Sequence, residues 1–265
     1  EVLFAKIFDN LYCGGKRSAL ELAKIGQKAE NLYFGKPCGL MDQTACAWGG
    51  AVAIDFADSQ NPQLRGISFD PAAAGFALCV VNTKGSHSDL TPDYAAIPTE
   101  MKAVAGFFGK ELLRELDEQA LLGRIADLRA AAGDRAVLRA LHYFGENRRV
   151  DAKLAALSAR PAAMETFLAL VRESGDSSWE LLQNIYSPRK PGEQGLSVAL
   201  ALTKRFLGTD CGACRVHGGG FAGTIQAYLP LERLEDYRNL MESIFGKGAL
   251  TVLRIRPLGA AELQF

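Results

Sequence analysis

The chain has 265 residues, and its thirty Lys and Arg are matched by thirty Asp and Glu. That balance argues against a global pull toward nucleic acid or an anionic membrane, and 48% hydrophobic content is that of a folded soluble protein without a membrane span. A chain this long buries about three quarters of its unfolded surface; it needs no metal or disulfide staple, and it falls between one large domain and two ordinary ones.

The residues present show no charged, apolar and small-residue leader, so the expected compartment is the cytoplasm. EVLFAKIFDNLY reads as a helix, with Val2, Leu3, Ile7 and Leu11 at helical spacing and nothing ahead of it to cap it. Ser18 and Glu21 form an S-x-x-E capping box for a second helix. Leu22, Ile25, Ala29 and Leu32 make its expected inward stripe, and Gly35 and Pro37 its stop. The stretch GKPCGLMDQTACAWGG is then expected to be a loop around Asp42.

Two strand-like runs follow, AVAIDF, with Val52, Ile54 and Phe56 alternating, and FALCVVN from Phe76, joined by a polar link through Asn61-Pro62. From Thr91 to about Phe206 the pattern is helical, with breaks expected at Gly133-Asp134, Arg160-Pro161, Gly175-Asp176 and a turn from Pro188 to Gly192. The period changes again at VHGGGFAG, which leads into a strand TIQAYL, a helix from Leu231 to Phe245 and a closing strand LTVLRIR. Strands at both ends of a helical middle predict an α+β fold.

Two segments could carry chemistry. Asp42 stands among small and apolar residues, with no lysine or arginine between Lys36 and Arg65. Such a carboxylate can orient or deprotonate a substrate hydroxyl, or it can cap the following segment through the amides of Thr44 or Ala45. His217-Gly218-Gly219-Gly220-Phe221-Ala222-Gly223 allows positive φ and close backbone approach to an anion. It lacks the features of a P-loop or a dinucleotide fingerprint, and a tight turn before a strand is its plain reading.

Other residues point to structure. Cys13, Cys38, Cys46, Cys79, Cys211 and Cys214 are expected as buried free thiols, and the lone C-x-x-C at Cys211–Cys214 has no second pair to make a zinc site. His87 and His142 read as core or surface residues, Arg148-Arg149 as an exposed helix edge, and Arg189-Lys190 as a solvated turn.

Taken in order, GKPCGLMDQ, AVAIDF, VVNTKGSHSDLTPDYA, ALHYFGENRRV and RVHGGGFAGTIQAYLP resemble the galactokinase branch of the GHMP sugar and small-molecule kinase family, along essentially the whole chain. The glycine segment departs from the family's usual Thr-Gly-Ala-Gly-Phe-Gly-Gly at His217 and Ala222, and NIYSPRKPGEQGLS stands where many members have Ser-Cys-Pro-Glu-Leu-Asp.

The resemblance implies ATP-dependent phosphorylation of α-D-galactose at O1, with magnesium. It implies Asp42 as base or orienter at the sugar hydroxyl, Gly39 as a backbone contact to the sugar, Tyr94 as a hydrogen-bonding partner of the hexose, and Gly218, Gly219 and Gly220 as a turn supporting the phosphate side. It also implies that residues 1–68 are a remnant of the family's N-terminal domain and residues 69–265 a ferredoxin-like C-terminal domain with added helices. The family's Arg-x-Asn-Leu-Ile-Gly-Glu-His-x-Asp-Tyr and Gly-Leu-Ser-Ser-Ser stretches do not occur in these residues. The expectation is therefore a C-terminal two thirds, inactive alone, with the metal ligands elsewhere and self-association through its first helix. A kinase for a related sugar such as N-acetylgalactosamine, or a non-catalytic sugar-responsive relative, are the alternatives.

Overall fold

The structure, a computed structural model, describes residues 1–35, 38–86, 89–159, 162–209 and 211–262. Pro37, His87 and the Arg160-Pro161 break lie outside the described residues. The chain divides into two compact units, Glu1–Asp70 with Arg254–Phe265, and Pro71–Leu253.

The first unit holds helices α1 (Val2–Cys13), α2 (Ala19–Tyr33) and α3 (Met41–Trp48), then strands β1 (Ala51–Asp55) and β2 (Gln63–Ile67). The capping box forms: the Ser18 side chain accepts from the Glu21 amide, and the Glu21 carboxylate accepts from the Ser18 amide. The inward stripe of α2 differs from expectation, because Leu22, Ala23 and Gly26 are buried while Ile25 and Leu32 are exposed. Gly26 lies on the buried side, where a Cβ would stand in ordinary contact with Gln43 and Val2 at 3.6 Å.

On α1 only Val2 of the expected stripe is buried, and Leu3, Ile7 and Leu11 are exposed together with Phe4 and Phe8. β1 does not alternate in burial, and it pairs antiparallel with β2, a strand that the polar link concealed. The closing segment returns to this unit. The Gly50 amide donates to the Arg256 carbonyl at 2.7 Å, and Gly259 lies so close to Ala47 that a Cβ would fall 1.9 Å from its carbonyl oxygen.

The second unit begins with strand β3 (Phe76–Asn82) and helix α4 (Thr91–Phe107). Helices α5 (Glu118–Leu122), α6 (Ile125–Ala132), α7 (Asp134–Ser158) and α8 (Met164–Ser177) follow, and a π-helical turn, Ser178–Leu182, extends α8. Then come α9 (Gly195–Leu207), β4 (Ala213–Val216), β5 (Thr224–Pro230), α10 (Leu234–Phe245) and β6 (Leu250–Leu253). The four strands form one antiparallel sheet in the order β4-β5-β3-β6. The first strand is thus central and helices cross between strands one and two and between three and four, which is the ferredoxin-like arrangement.

Along β3 the residues Ala77, Cys79 and Val81 face one way, as period two requires. They pack with Ile225, Ala227 and Leu229 of β5 under Leu196 and Leu200 of α9 and Tyr237 and Met241 of α10. A separate core under α4, α6 and α7 contains Val104, Leu128, Val137 and Ala140.

The break expected at Gly175 is absent; α8 runs through it. The glycine is there for proximity, since a Cβ would meet the Cys214 carbonyl of β4 at 2.8 Å. Arg149 is also not on an exposed edge. Its Nε donates to Glu146 at 3.0 Å in a partly buried network with Ser174, Lys153 and Arg215.

Burial would raise the Glu146 pKa, but the Ser174 hydroxyl and the cations Lys153, Arg215 and Arg149 outweigh it and hold it at about 2. Of the six cysteines, all free, only Cys79 and Cys214 are buried, and burial pushes both thiols up to about 12. Among the described residues no helix is long and apolar enough to cross a membrane.

Candidate functional site

In the first unit, Asp42 is the second residue of α3, where a loop was expected. The helix opens at Leu40, which makes no side-chain cap bond, so Asp42 does not hold the capping position either. Its carboxylate is exposed in the first turn, where the helix macrodipole favours negative charge. Gly39 lies two residues before α3 begins, exposed, with nothing within 4 Å of where a Cβ would stand.

In the second unit three segments converge: the end of β3 with the start of α4, the chain after the π-helical turn, and the glycine segment before β5. Thr83 ties the first to the third, its hydroxyl and its amide both donating to the Gly223 carbonyl at 2.8 and 2.9 Å. Tyr94, in the first turns of α4, donates its hydroxyl to the Gly220 carbonyl at 2.9 Å and meets Phe221 edge-on at 5.3 Å between ring centroids. Tyr94 and the Gly218–Gly220 turn are thus brought together. Burial raises the Tyr94 pKa, and nearby Asp93 adds to it.

The middle segment joins both. Asn184 donates from Nδ2 to the Gly219 carbonyl at 3.1 Å, and its own carbonyl accepts from the Phe221 amide at 2.5 Å. Ser187 Oγ donates to buried Asp93 at 2.9 Å, and Arg189 Nη2 donates to the same carboxylate at 2.6 Å. The Arg189 bond holds the Asp93 pKa below the usual carboxylate range; burial opposes it and Ser187 assists. Arg189 sits exposed in the turn expected there, and it is in addition an ion-pair partner of Asp93.

Non-glycine residues with positive φ are uncommon, and such strain clusters at ligand sites. Among the described residues they are Lys84, Asp89, Gln183 and Phe221, all in or beside these three segments. The segments border a cleft of about 370 Å³ lined by, among others, Thr83, Lys84, Ser187, Lys190, Gln194 and Phe221. Two lysines against Glu193 give that lining a net positive charge suited to an anionic ligand.

Sequence reasoning missed Asp93, Asn184 and Ser187. Their partners are 35 to 96 residues away, so no local spacing could have revealed them. His217, exposed, approaches Gln226 at 3.2 Å, and His142 is buried against Ser177 at 2.9 Å. No group of three or more His, Cys, Asp or Glu suited to a metal occurs among the described residues.

Residues 1–50 match the family model described as GHMP kinases N terminal domain. The galactokinase of Glaesserella parasuis serovar 5 is 31% identical over 230 residues, covering 87% of this chain and 56% of that protein. The galactokinase of Streptomyces coelicolor is 31% identical over 260 residues, covering 96% and 62%. The chain thus spans somewhat more than half the length of these relatives.

A crystal structure of Lactococcus lactis galactokinase complexed with galactose shares the fold at a TM-score of 0.76 and 19% identity, over 99% of this chain and 66% of that one. Mevalonate kinase of L. major in complex with R-mevalonate follows at 0.59 and 15%, over 98% and 64%. The sequence relatives and the shared fold agree: residues 1–50 match the GHMP kinase N-terminal domain, and the chain as a whole is similar in sequence and fold to galactokinases.

Proposed function

We propose that this chain is part of a galactokinase, which transfers the γ-phosphoryl group of ATP to O1 of α-D-galactose. The observation that carries the reading is 31% identity to galactokinases over 230 to 260 residues. Residues 1–68 are then the family's N-terminal part with the aspartate, and 69–265 its C-terminal part, of which residues 254–265 fold with the first unit. ATP and magnesium are the co-substrate and metal of the reaction, and the cytoplasm its place.

In this reading Asp42 receives the proton of the C1 hydroxyl or holds it in line for attack, with Gly39 beside the sugar. Tyr94 has its hydroxyl proton committed to Gly220, so it meets the hexose as an acceptor of a sugar hydroxyl. Gly218, Gly219 and Gly220 shape the phosphate side with backbone amides. Phosphoryl transfer rests on such positioning and charge stabilisation, because the protein forms no covalent bond to the group transferred.

The test is an ATP-consumption assay on the protein carrying this chain, with galactose, N-acetylgalactosamine and mevalonate offered separately. Turnover on galactose with galactose 1-phosphate as product supports the proposal. Turnover confined to N-acetylgalactosamine would reassign the substrate, and sugar binding without turnover would make the protein a sugar-responsive relative.

A further inference from the structure

The following inference rests on the reading just given and deepens it. We propose that Asn184 is the positioning residue of the glycine turn, clamping Gly219 and Phe221 so that the Gly220 amide is presented to an acceptor oxygen such as that of a phosphate.

The clamp grips one short backbone segment twice. Asn184 Nδ2 donates to the Gly219 carbonyl at 3.1 Å, and the Asn184 carbonyl accepts from the Phe221 amide at 2.5 Å. In a planar trans peptide, the carbonyl of one residue and the amide N–H of the next point in opposite directions. With the Gly219 carbonyl turned toward Asn184, the Gly220 N–H is turned away from it. The same rule explains the far side: the Gly220 carbonyl points to Tyr94 OH at 2.9 Å, and the Phe221 N–H points back to Asn184.

The turn packs tightly on the chain that holds Asn184. A Cβ on Gly220 would stand 2.1 Å from the Asn184 carbonyl oxygen, so the two backbones are in direct contact. Gly218 and Gly220 have φ of 71° and 81°, whereas Gly219 between them does not have positive φ. Phe221, at φ 61°, is held left-handed without glycine's freedom, which the bond to Asn184 makes tolerable.

The choice of side chain supports the same role. Asn184 is 3% exposed, and its Oδ1 is buried without a hydrogen-bond partner. An apolar residue of similar shape would spare the molecule that orphaned oxygen. An amide is worth keeping here because the Gly219 carbonyl needs a donor, which leucine cannot supply. Asn184 is itself anchored from behind: Arg139 Nε donates to the carbonyl of Leu182, two residues earlier, at 3.1 Å.

The experiment compares the protein carrying this chain with its Asn184→Asp and Asn184→Leu variants, by amide hydrogen exchange and by steady-state kinetics. Both variants should speed exchange of the Phe221 amide, the hydrogen-bonded N–H of the turn, about tenfold and leave residues 225–229 of β5 at their original rate. Both should lower kcat about 10- to 100-fold, with the sugar KM within about twofold. Asn184→Leu removes the orphaned oxygen with the donor, so it keeps the test open if Asn184→Asp fails to fold.

Unchanged exchange of the Phe221 amide in Asn184→Leu would overturn the proposal, as would unchanged kcat. If the unmodified protein phosphorylates no sugar, the proposed activity fails, while the exchange comparison still decides whether Asn184 holds the turn.

Discussion

Tyr94 and Gly220, 126 positions apart in the chain, are joined by a 2.9 Å hydrogen bond from the phenol hydroxyl to the glycine carbonyl. The bond commits the proton of Tyr94 to the turn. What the oxygen offers a ligand is its capacity to accept.

Tyr94→Phe should therefore act on fold and ligand together. Loss of the bond to Gly220 should lower unfolding free energy by about 0.5–1.5 kcal/mol. If Tyr94 meets the sugar as proposed, loss of the acceptor should raise the galactose dissociation constant by a factor of about 2 to 10, by the same magnitude. Denaturant melts and calorimetric titration separate the two effects. A dissociation constant that stays put would remove Tyr94 from the sugar site, whatever happens to stability.

Glu146 should dominate a stretch of the acid limb of stability. Its pKa is lowered from 4.5 to about 2 in the folded state. A depressed carboxylate contributes stability that is fully present above the unfolded value, near 4.5, and is lost as pH falls through the folded one, near 2. A shift of that size corresponds to about 3 kcal/mol. Glu146→Gln should cost about 3–5 kcal/mol at pH 7, because Lys153, Arg149 and Arg215 lose their shared counter-ion. The penalty should shrink steadily between pH 4.5 and 2. Urea titrations at pH 7 and pH 3 check it, and equal penalties at both would refute the electrostatic account.

What could be read from the residues was what is local. The Ser18–Glu21 box is decided within four residues, and the change of period around Thr91 and again near His217 separates strand from helix. Asp42 shows where local reading stops. Glycines at both ends of its stretch imply a loop, yet an eight-residue helix forms there without a side-chain cap, held by packing of α3 on α2 and α1.

β2 was hidden for a related reason, since QLRGI has no apolar alternation and is a strand only because β1 pairs with it. Tyr94 and the Gly218–Gly220 turn were each singled out through family resemblance and not through spacing, and the hydrogen bond between them was not anticipated. Asn184 had no such help, and only three-dimensional proximity assigns it a task.

Gly175→Ala sets helix propensity against packing. Inside a helix, alanine is favoured over glycine by about 1 kcal/mol. Here the added Cβ would stand 2.8 Å from the Cys214 carbonyl oxygen and 3.1 Å from Arg215 Cβ. Both neighbours belong to β4, so relief requires α8 to lift off the sheet edge, at about 1–3 kcal/mol for such overpacking. The net effect should be destabilisation by about 1 kcal/mol, read as a lower denaturation midpoint. A stabilised variant would show that α8 and β4 are not in such close contact.

Asp42→Asn bears on the chemistry most directly. Asparagine keeps the size of the side chain and its capacity to accept a hydrogen bond, but it is not a base. A capping role would predict lost stability, yet Leu40 opens α3 and makes no side-chain cap bond. The substitution should therefore leave the thermal midpoint within about 3 °C.

If Asp42 orients or deprotonates the attacking hydroxyl, kcat of the protein carrying this chain should fall by about 10²–10⁴. Sugar affinity should change far less, because the lost interaction strengthens only as the hydroxyl becomes a nucleophile. Single-turnover kinetics with ATP and galactose, beside equilibrium binding of the sugar, provide the measurement. A fall of less than about threefold in kcat with normal binding would show that another group carries the reaction, and Asp42 would be left as an acidic residue at the start of a short helix.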